Sequence, residues 1–244
     1  MSSASFPGGT SITRLQVYSD TCADGLAGGT PHVHTVSTEA YVVVGGTGVL
    51  HTLDPAGLRE TPLEVGSAIW FTPGVIHRAV NHGDLRVVVV MSNAGLPEAG
   101  DAVMTFPPEI VADPERYRAA ASLPADEAGK ADAVRRRRDL AVEGFHRLAA
   151  DPVALAAFYD HAVALVRPAA DGWREIWAQS VEAQTRRTAA LIDAIAGGDG
   201  HHLREAALFS APQSESTGWG MCGRLRTHDV RNPRGGHTVD VPRV

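Results

Sequence analysis

Three histidines and one glutamate in the first third of the chain are the residues best suited to chemistry: His32, His34, Glu39 and His77. His32 and His34 are two positions apart, so both imidazoles leave the same face of a β-strand. Glu39 opens the next apolar run, and His77 begins another short strand after a Pro73-Gly74 turn. Three neutral imidazoles and one carboxylate, all near strand ends, suit the coordination of one divalent transition metal.

The elements that must position these side chains are short strands separated by turn residues. Residues 11–18 alternate as a strand does, and the sequence Asn-His-Gly-Asp at 81–84 predicts a tight turn between two later strands. This rhythm favours a β-sandwich or barrel over a βαβ fold. The predicted strands cover residues 11–18, 40–44, 48–53, 67–72, 77–81 and 85–91.

Helices are predicted after Pro107-Pro108, where the strand pattern gives way to segments rich in alanine, arginine and glutamate. Aspartate followed by proline, at Asp113-Pro114 and again at Asp151-Pro152, is typical of a helix start. Apolar residues at helical spacing predict helices over about 126–149 and 170–196. The second of these carries an apolar stripe that must pack on a helix, the barrel or a second subunit: Trp173, Ile176, Trp177, Val181, Ala189, Ile192 and Ile195.

These patterns divide the chain into three parts. We predict a β-barrel with the metal site over residues 1–109 and a helical extension over residues 110–209. The remaining tail, residues 210–244, is rich in serine, glycine and arginine, and Met221–Val230 within it could add one strand.

The spacing of the four metal-ligand candidates resembles the paired motifs of the cupin family: His-x-His-x4-Glu, then Gly-x5-Thr-x-Gly-x2-His-x3-Asn. The resemblance covers about residues 11–92 and implies a mainly β fold, a jelly-roll barrel closed by its sheets. It also implies that His32, His34, Glu39 and His77 are the metal ligands and that the protein is a homodimer. Leu26 replaces a usual glycine and Thr72 a usual proline, and both departures affect turns rather than ligands.

Composition excludes several other classes of partner. The formal net charge of the 244 residues is −6, which argues against nucleic acid and against an anionic membrane surface. Cys22 and Cys222 form no CxxC pair, so a cysteine-zinc site is not expected. The N-terminal residues lack the features of a signal peptide, and no apolar run has membrane-spanning length. We expect a cytoplasmic protein that acts on a small molecule.

A few residues outside the ligand set are candidates for substrate contact. Tyr41 shares strand parity with Glu39, so it should point into the barrel as a core residue or as a catalytic one. Arg14 and Gln16 could face inward and hold a polar ligand, or lie on a solvated outer face. The run Arg135–Arg138 fans out around a helix, which predicts three solvated arginines and a salt bridge from Arg138 to the barrel.

Two classes of function are compatible with these residues. The first is a mononuclear metal enzyme, using Mn, Fe, Zn, Ni or Cu, that acts on a sugar-like or carboxylated metabolite by isomerase, epimerase or lyase chemistry. A metal-dependent dioxygenase is its alternative. The second class is a non-catalytic cupin that binds a small ligand. No phosphate-binding glycine loop or nucleophile elbow is present in the sequence.

Overall fold

The computed structural model describes residues 6–235, and its first half is built from antiparallel strands. A nine-stranded sheet combines strands from both ends of the chain. The strands are β1 Ser11–Val17, β2 His32–His34, β3 Glu39–Asp54, β4 Gly57–Leu63, β5 Ala68–Phe71, β6 Ile76–Met91, β7 Ala102–Met104, β8 Phe209–Ser210, β9 Gly218–Trp219, β10 Gly223–Thr227 and β11 Arg234–Gly235.

Strands β3 and β6 pair with each other along almost their whole length and form the centre of the barrel. The two ends of this pair are hydrogen-bonded to different strands. At one end β3 pairs with β5 and β6 pairs with β1, whereas at the other end β3 pairs with β4 and β6 pairs with β2. Register shifts between Val43 and Gly48 bend the pair between these ends. The predicted barrel is confirmed, and the bent pair of β3 and β6 contributes to both of its halves.

The predicted breaks in β3 and β6 are therefore wrong, because the turn residues bend the strands without ending them. Asn81 Oδ1 accepts hydrogen bonds from the backbone N–H groups of Gly83 and Leu85, at 3.0 and 3.1 Å. Gly46 and Asp84 adopt positive φ, 69° and 53°. A side-chain acceptor and two left-handed residues satisfy the local backbone, so pairing resumes on the far side of the bend.

Residues 108–196 are mainly helical, as the sequence predicted. The helices are α1 Pro108–Val111, α2 Pro114–Ala121, α3 Glu127–Ala150, α4 Pro152–Val166, α5 Ala170–Trp177 and α6 Ala183–Ala196. Asp113, Asp126 and Asp151 cap the N-termini of α2, α3 and α4 by accepting hydrogen bonds from backbone N–H groups. A π-helical turn, Ala178–Glu182, joins α5 to α6.

Two apolar cores meet at the wall of the barrel. One fills the interior and includes Tyr41, Leu50 and Val87. The other lies between the wall and the helices, where Val33 and Phe106 pack with Phe145 of α3 and with residues of α4. The helices thus share a continuous core with the barrel. None of the helices described is long and apolar enough to cross a membrane.

The predicted stripe on the last long helix is only partly buried. Trp173 is buried and donates a hydrogen bond from Nε1 to the carbonyl of Ala99, at 3.0 Å, but Ile192 and Ile195 are exposed. The π turn adds one residue to the helical repeat. Residues after this turn therefore no longer lie on the same helix face as Trp173. Strand β10, within the predicted range Met221–Val230, pairs with β1.

Candidate metal centre

The four predicted ligands converge inside the barrel. His32 of β2 lies directly opposite His77 of β6, and Glu39 is the first residue of β3. All four side chains are buried, and each offers one ligand atom such that these atoms lie within 4.8 Å of one another. Glu39 Oε2 lies 3.2 Å from His34 Nε2 and 3.1 Å from His77 Nε2. Strand alternation sends Val33, between the two histidines of β2, into the helical core instead.

Each histidine is held in place through its Nδ1 atom. His32 Nδ1 lies 2.8 Å from the carbonyl oxygen of Thr30, and His77 Nδ1 lies 3.1 Å from that of Val75. His34 Nδ1 lies 2.7 Å from Asp101 Oδ1. Each acceptor fixes the orientation of its ring and turns Nε2 toward the centre, where a neutral ring with its proton on Nδ1 can bind a metal.

Asp101 contacts the candidate ligand cluster and was not predicted from the sequence. It lies in the loop before β7, is fully buried, and accepts a second hydrogen bond at Oδ2 from the backbone N–H of Ser37. Its only sequence clue is an aspartate just ahead of a short apolar strand, and such residues are common in loops. The contact forms because β7 pairs with β2 and brings the loop beside His34.

The electrostatics of the metal-free cluster are those of a carboxylate amid imidazoles. Burial would raise the pKa of Glu39, but the imidazoles of His77 and His34 hold it well below its usual range. Burial, together with the neighbouring imidazoles, keeps the pKa of His32 well below normal. Burial also opposes charge on His34, yet Asp101 and Glu39 raise the pKa of its ring to about 10. Without a cation at the centre, His34 therefore supplies the positive charge.

The residues present fit a divalent metal ion. Glu39 Oε2 and His77 Nε2 are buried without a hydrogen-bond partner among the described residues, although they face each other. Unpartnered buried polar atoms are costly, and a cation between them would satisfy both. Three imidazole nitrogens and one carboxylate oxygen suit Zn, Mn, Fe, Ni or Cu and do not select among them.

A cavity of about 320 Å³ opens onto the cluster, and His32, His34 and Glu39 form part of its wall. Strands β1 and β10 and the segment before β10 provide much of the remainder. Ser11, Thr13 and Thr227 contribute hydroxyl groups, and the exposed Glu98 is also part of the lining. The apolar lining comprises Leu15, Val89, Met91, Pro97, Trp219, Met221 and Leu225.

Tyr41 lies deep in the barrel beside the cluster and is not among the residues that line this cavity. Its ring contacts Phe71, and its hydroxyl lies 3.7 Å from Cys222 Sγ. Burial, with Cys222 and Glu39 nearby, raises the pKa of Tyr41 well above its usual value. Burial likewise raises the pKa of Cys222 to about 12. Both groups are therefore neutral at physiological pH.

Arg14 and Gln16 do not join the metal cluster. They are exposed on the outer face of β1, because Leu15 and Val17 take the inward positions of the same strand. There they line a separate groove of about 410 Å³ with Arg86, Arg224 and Arg226. Of the two positions that the sequence left open for Arg14 and Gln16, the structure shows the solvated outer face, so neither residue contacts the candidate metal cluster.

The arginine run of α3 also differs from its prediction. Arg138 makes the predicted salt bridge, from Nη2 to Asp20 Oδ2 at 2.6 Å. Arg137, predicted to be solvated, is buried and lines the cavity of the metal cluster. The buried face of α3 includes positions 133, 134, 137, 138 and 141, so two of the four arginines fall within it.

Comparison with protein families agrees with this geometry. The family described as Cupin domain matches residues 22–92, a range that contains all four proposed ligands. Residues 22–92 form a cupin domain. The match ends one position after β6, so the helices and the strands of the tail lie outside the matched range.

Solved structures similar to this chain share little sequence with it. Streptomyces PAC13, bound to uridine and described as a nucleoside dehydratase, is 18% identical with a TM-score of 0.27 over 36% of this chain and 61% of its own. A Klebsiella pneumoniae protein with a double-stranded β-helix domain is 20% identical, with a TM-score of 0.28 and coverages of 34% and 62%. The Campylobacter jejuni TDP-fucose-3,4-ketoisomerase WlaRA is 11% identical, with a TM-score of 0.29 and coverages of 33% and 58%. The chain thus spans about three fifths of these proteins, and no curated protein matches it.

Proposed function

We propose that this protein is a mononuclear metal enzyme that converts a small molecule bound in the cavity of its cupin domain. The observation that carries the proposal is the position of the ligand cluster beside a cavity, which three of the four candidate ligands line. A purely structural metal site is closed by its protein ligands, whereas a catalytic site keeps a position open toward a cavity.

The protein side chains have separate roles in this proposal. His32, His34, Glu39 and His77 would hold the ion, and Asp101 would keep His34 oriented toward it. A bound divalent metal supplies Lewis-acid polarisation of substrate oxygens, which supports isomerase, epimerase or lyase chemistry. The hydroxyls of Ser11, Thr13 and Thr227 are placed to orient a substrate in the cavity.

Glu98 and Tyr41 differ in their suitability for proton transfer. Glu98 in the cavity lining is exposed and could accept a proton from a bound substrate. Tyr41, the catalytic candidate from the sequence, is fully buried with a raised pKa, so its phenol is better suited to positioning Glu39 than to acting as a base.

The apolar part of the cavity favours a dioxygenase as a second candidate function. Leu15, Val89 and Met221 suit a substrate with a hydrocarbon or aromatic portion better than a fully hydroxylated one. Iron or copper at the same four ligands supplies oxygen chemistry. A non-catalytic ligand-binding cupin is the remaining alternative.

Metal analysis of protein purified without an affinity tag is the first test. We expect about one divalent metal per chain, lost in His34→Ala while the circular dichroism spectrum is retained. Normal metal content in a His32→Ala/His34→Ala double variant would eliminate this site. Oxygen uptake with candidate aromatic substrates would then favour the dioxygenase, and deuterium exchange next to a substrate carbonyl would favour the isomerase. Ligand-induced thermal stabilisation without either reaction would favour a binding protein.

A further inference from the structure

Three arginines in the described part of the chain are buried, and two of them have a carboxylate partner. Arg78 forms a forked pair with Asp24, and Arg138 pairs with Asp20. These pairs follow the general rule that a buried guanidinium is neutralised by an acid. Arg137 is the exception, because no aspartate or glutamate in residues 6–235 forms an ion pair with it.

The hydrogen bonds of Arg137 leave its positive charge uncompensated. Nη1 donates to the carbonyl of Ala121 at 3.1 Å, and Nη2 donates to the carbonyl of Gly220 at 3.3 Å. Both acceptors are neutral, and Nε is buried without a partner among the described residues. Burial lowers the pKa of Arg137, and the groups that oppose this are the phenols of Tyr18 and Tyr117. The guanidinium is thus held in a fixed orientation with one charge and one donor unmatched.

Arg137 lines the same cavity as His32, His34 and Glu39. The surroundings are mainly apolar, with Leu15, Met91 and Leu225 among the lining residues. A fully hydroxylated sugar would need a partner for each hydroxyl, and this lining offers few. The one acid in the lining, apart from Glu39 of the cluster, is Glu98, which is exposed to solvent.

We propose that Arg137 binds the carboxylate of the substrate, and that the substrate is a small carboxylic acid with an apolar body. One unmatched positive charge suits a singly charged carboxylate better than a doubly charged phosphate. The apolar body would lie along the cavity, with the opposite end of the molecule near the ligand cluster. Placement of that reacting end rests on the proposed metal function, whereas recognition of the carboxylate rests on Arg137 alone.

A purely structural role for Arg137 makes a different prediction. Its two backbone contacts join α3 to Ala121 and to Gly220, so removing the side chain could lower stability without any effect on ligand preference. Discrimination between an acid and its uncharged analogue therefore separates the two roles. Stability by itself does not.

Calorimetry on zinc-loaded protein provides the test, with benzoate, phenylacetate, 3-phenylpropanoate and their primary amides as probes. We expect wild-type protein to bind at least one acid about tenfold or more tighter than its amide, as a charge-assisted contact requires. Arg137→Gln should lose this preference. Arg136→Gln, which removes the same charge from an exposed position of the same helix, should keep it.

Several outcomes would overturn the inference. These are binding of no acid, equal binding of acid and amide by the wild type, or an acid preference that survives Arg137→Gln. An acid preference that survives Arg137→Gln would mean that the carboxylate binds the metal. That preference would then be absent in metal-free protein. If Arg137→Gln does not fold, Arg137→Lys replaces it in the test. This variant should still prefer the acid, but with weaker binding, because lysine retains the charge and lacks the planar donor fork. Metal content measured in parallel reports separately on the proposed function.

Discussion

At the residue scale, Asp101 orients one of the four candidate metal ligands. It holds His34 by a 2.7 Å contact across 67 positions of sequence, and a backbone N–H fixes its other oxygen. A carboxylate behind a histidine both orients the ring and makes its free nitrogen more basic, which strengthens a metal bond. The backbone carbonyls behind His32 and His77 orient their rings without adding a charge.

Asp101→Asn should therefore weaken metal binding without removing a ligand. We expect the affinity to fall by about 10–100-fold, the usual effect of losing such a partner. Competition with a chromophoric chelator measures this change. Asp193→Asn, an exposed position on α6, is the matched control and should bind metal as the wild type does. Equal affinities of the two variants would contradict the assigned role of Asp101.

The raised pKa of His34 predicts that metal binding releases a proton. Asp101 and Glu39, acting against burial, raise this pKa to about 10, so the ring is protonated at neutral pH in metal-free protein. Metal binds only the neutral ring, so affinity should rise with pH up to that pKa, by up to about tenfold per unit for one proton. Calorimetry near neutral pH in buffers of different ionisation enthalpy should show about one proton released. Metal binding without proton release would contradict a protonated His34 in the metal-free protein.

At the scale of elements, helix α3 approaches the barrel so closely that only glycine fits at one position. A Cβ atom at Gly144 would lie 1.9 Å from the carbonyl oxygen of Thr105 and 2.6 Å from the carbonyl carbon of Phe106. Both are backbone atoms of the segment that follows β7, so neither can rotate aside. This contact sets the distance between α3 and the segment that follows β7.

Gly144→Ala should destabilise the protein although alanine favours helices. Overpacking costs about 1–3 kcal/mol, which exceeds the helical gain of about 0.5–1 kcal/mol. Gly172→Ala on α5 is the control, because nothing lies within 4 Å of its Cβ, and it should raise stability slightly. Urea unfolding of both variants measures the difference. A Gly144→Ala variant as stable as Gly172→Ala would show that α3 can move away from the barrel.

At the scale of the whole molecule, the helices and the barrel should behave as one folding unit. Ending the chain at Pro107 would uncover the apolar surface around Val33, Val103 and Phe106, and it would remove β10 from the sheet. We expect the fragment to aggregate. Limited proteolysis near residues 107–125 that released a soluble barrel with its metal would instead show an independent appendage.

The homodimer implied by the family resemblance remains a prediction. The outer face of β3 and β5 presents Val42, Val44 and Trp70, with Trp70 72% exposed. Such a face is suited to burial against a second copy. Light scattering should give a mass of twice the chain mass of 25.7 kDa. The Trp70→Asp substitution should lower the measured mass toward that of a single chain. A wild-type monomer at high concentration would contradict the prediction.

The cluster of four candidate metal ligands was predictable from the sequence because its determinants are local. Strand alternation places His32 and His34 on one face, and the spacing to Glu39 and His77 matches a known pair of motifs. Helix starts were predictable for the same reason, since an aspartate cap acts on N–H groups two or three residues away.

Only the tertiary structure decided what surrounds the ligands. Asp101 and Arg137 reach the site through strand pairing and helix packing, so no short-range pattern marks them. Arg14 and Gln16 alternate as a strand requires, but the packing of Leu15 decided which face is inside. The bends in β3 and β6 depended on cross-strand pairing that resumes beyond the turn residues, which outweighs a local turn preference. A sequence reports which residues can bind a metal, whereas contacts between distant segments determine the cavity that a substrate enters.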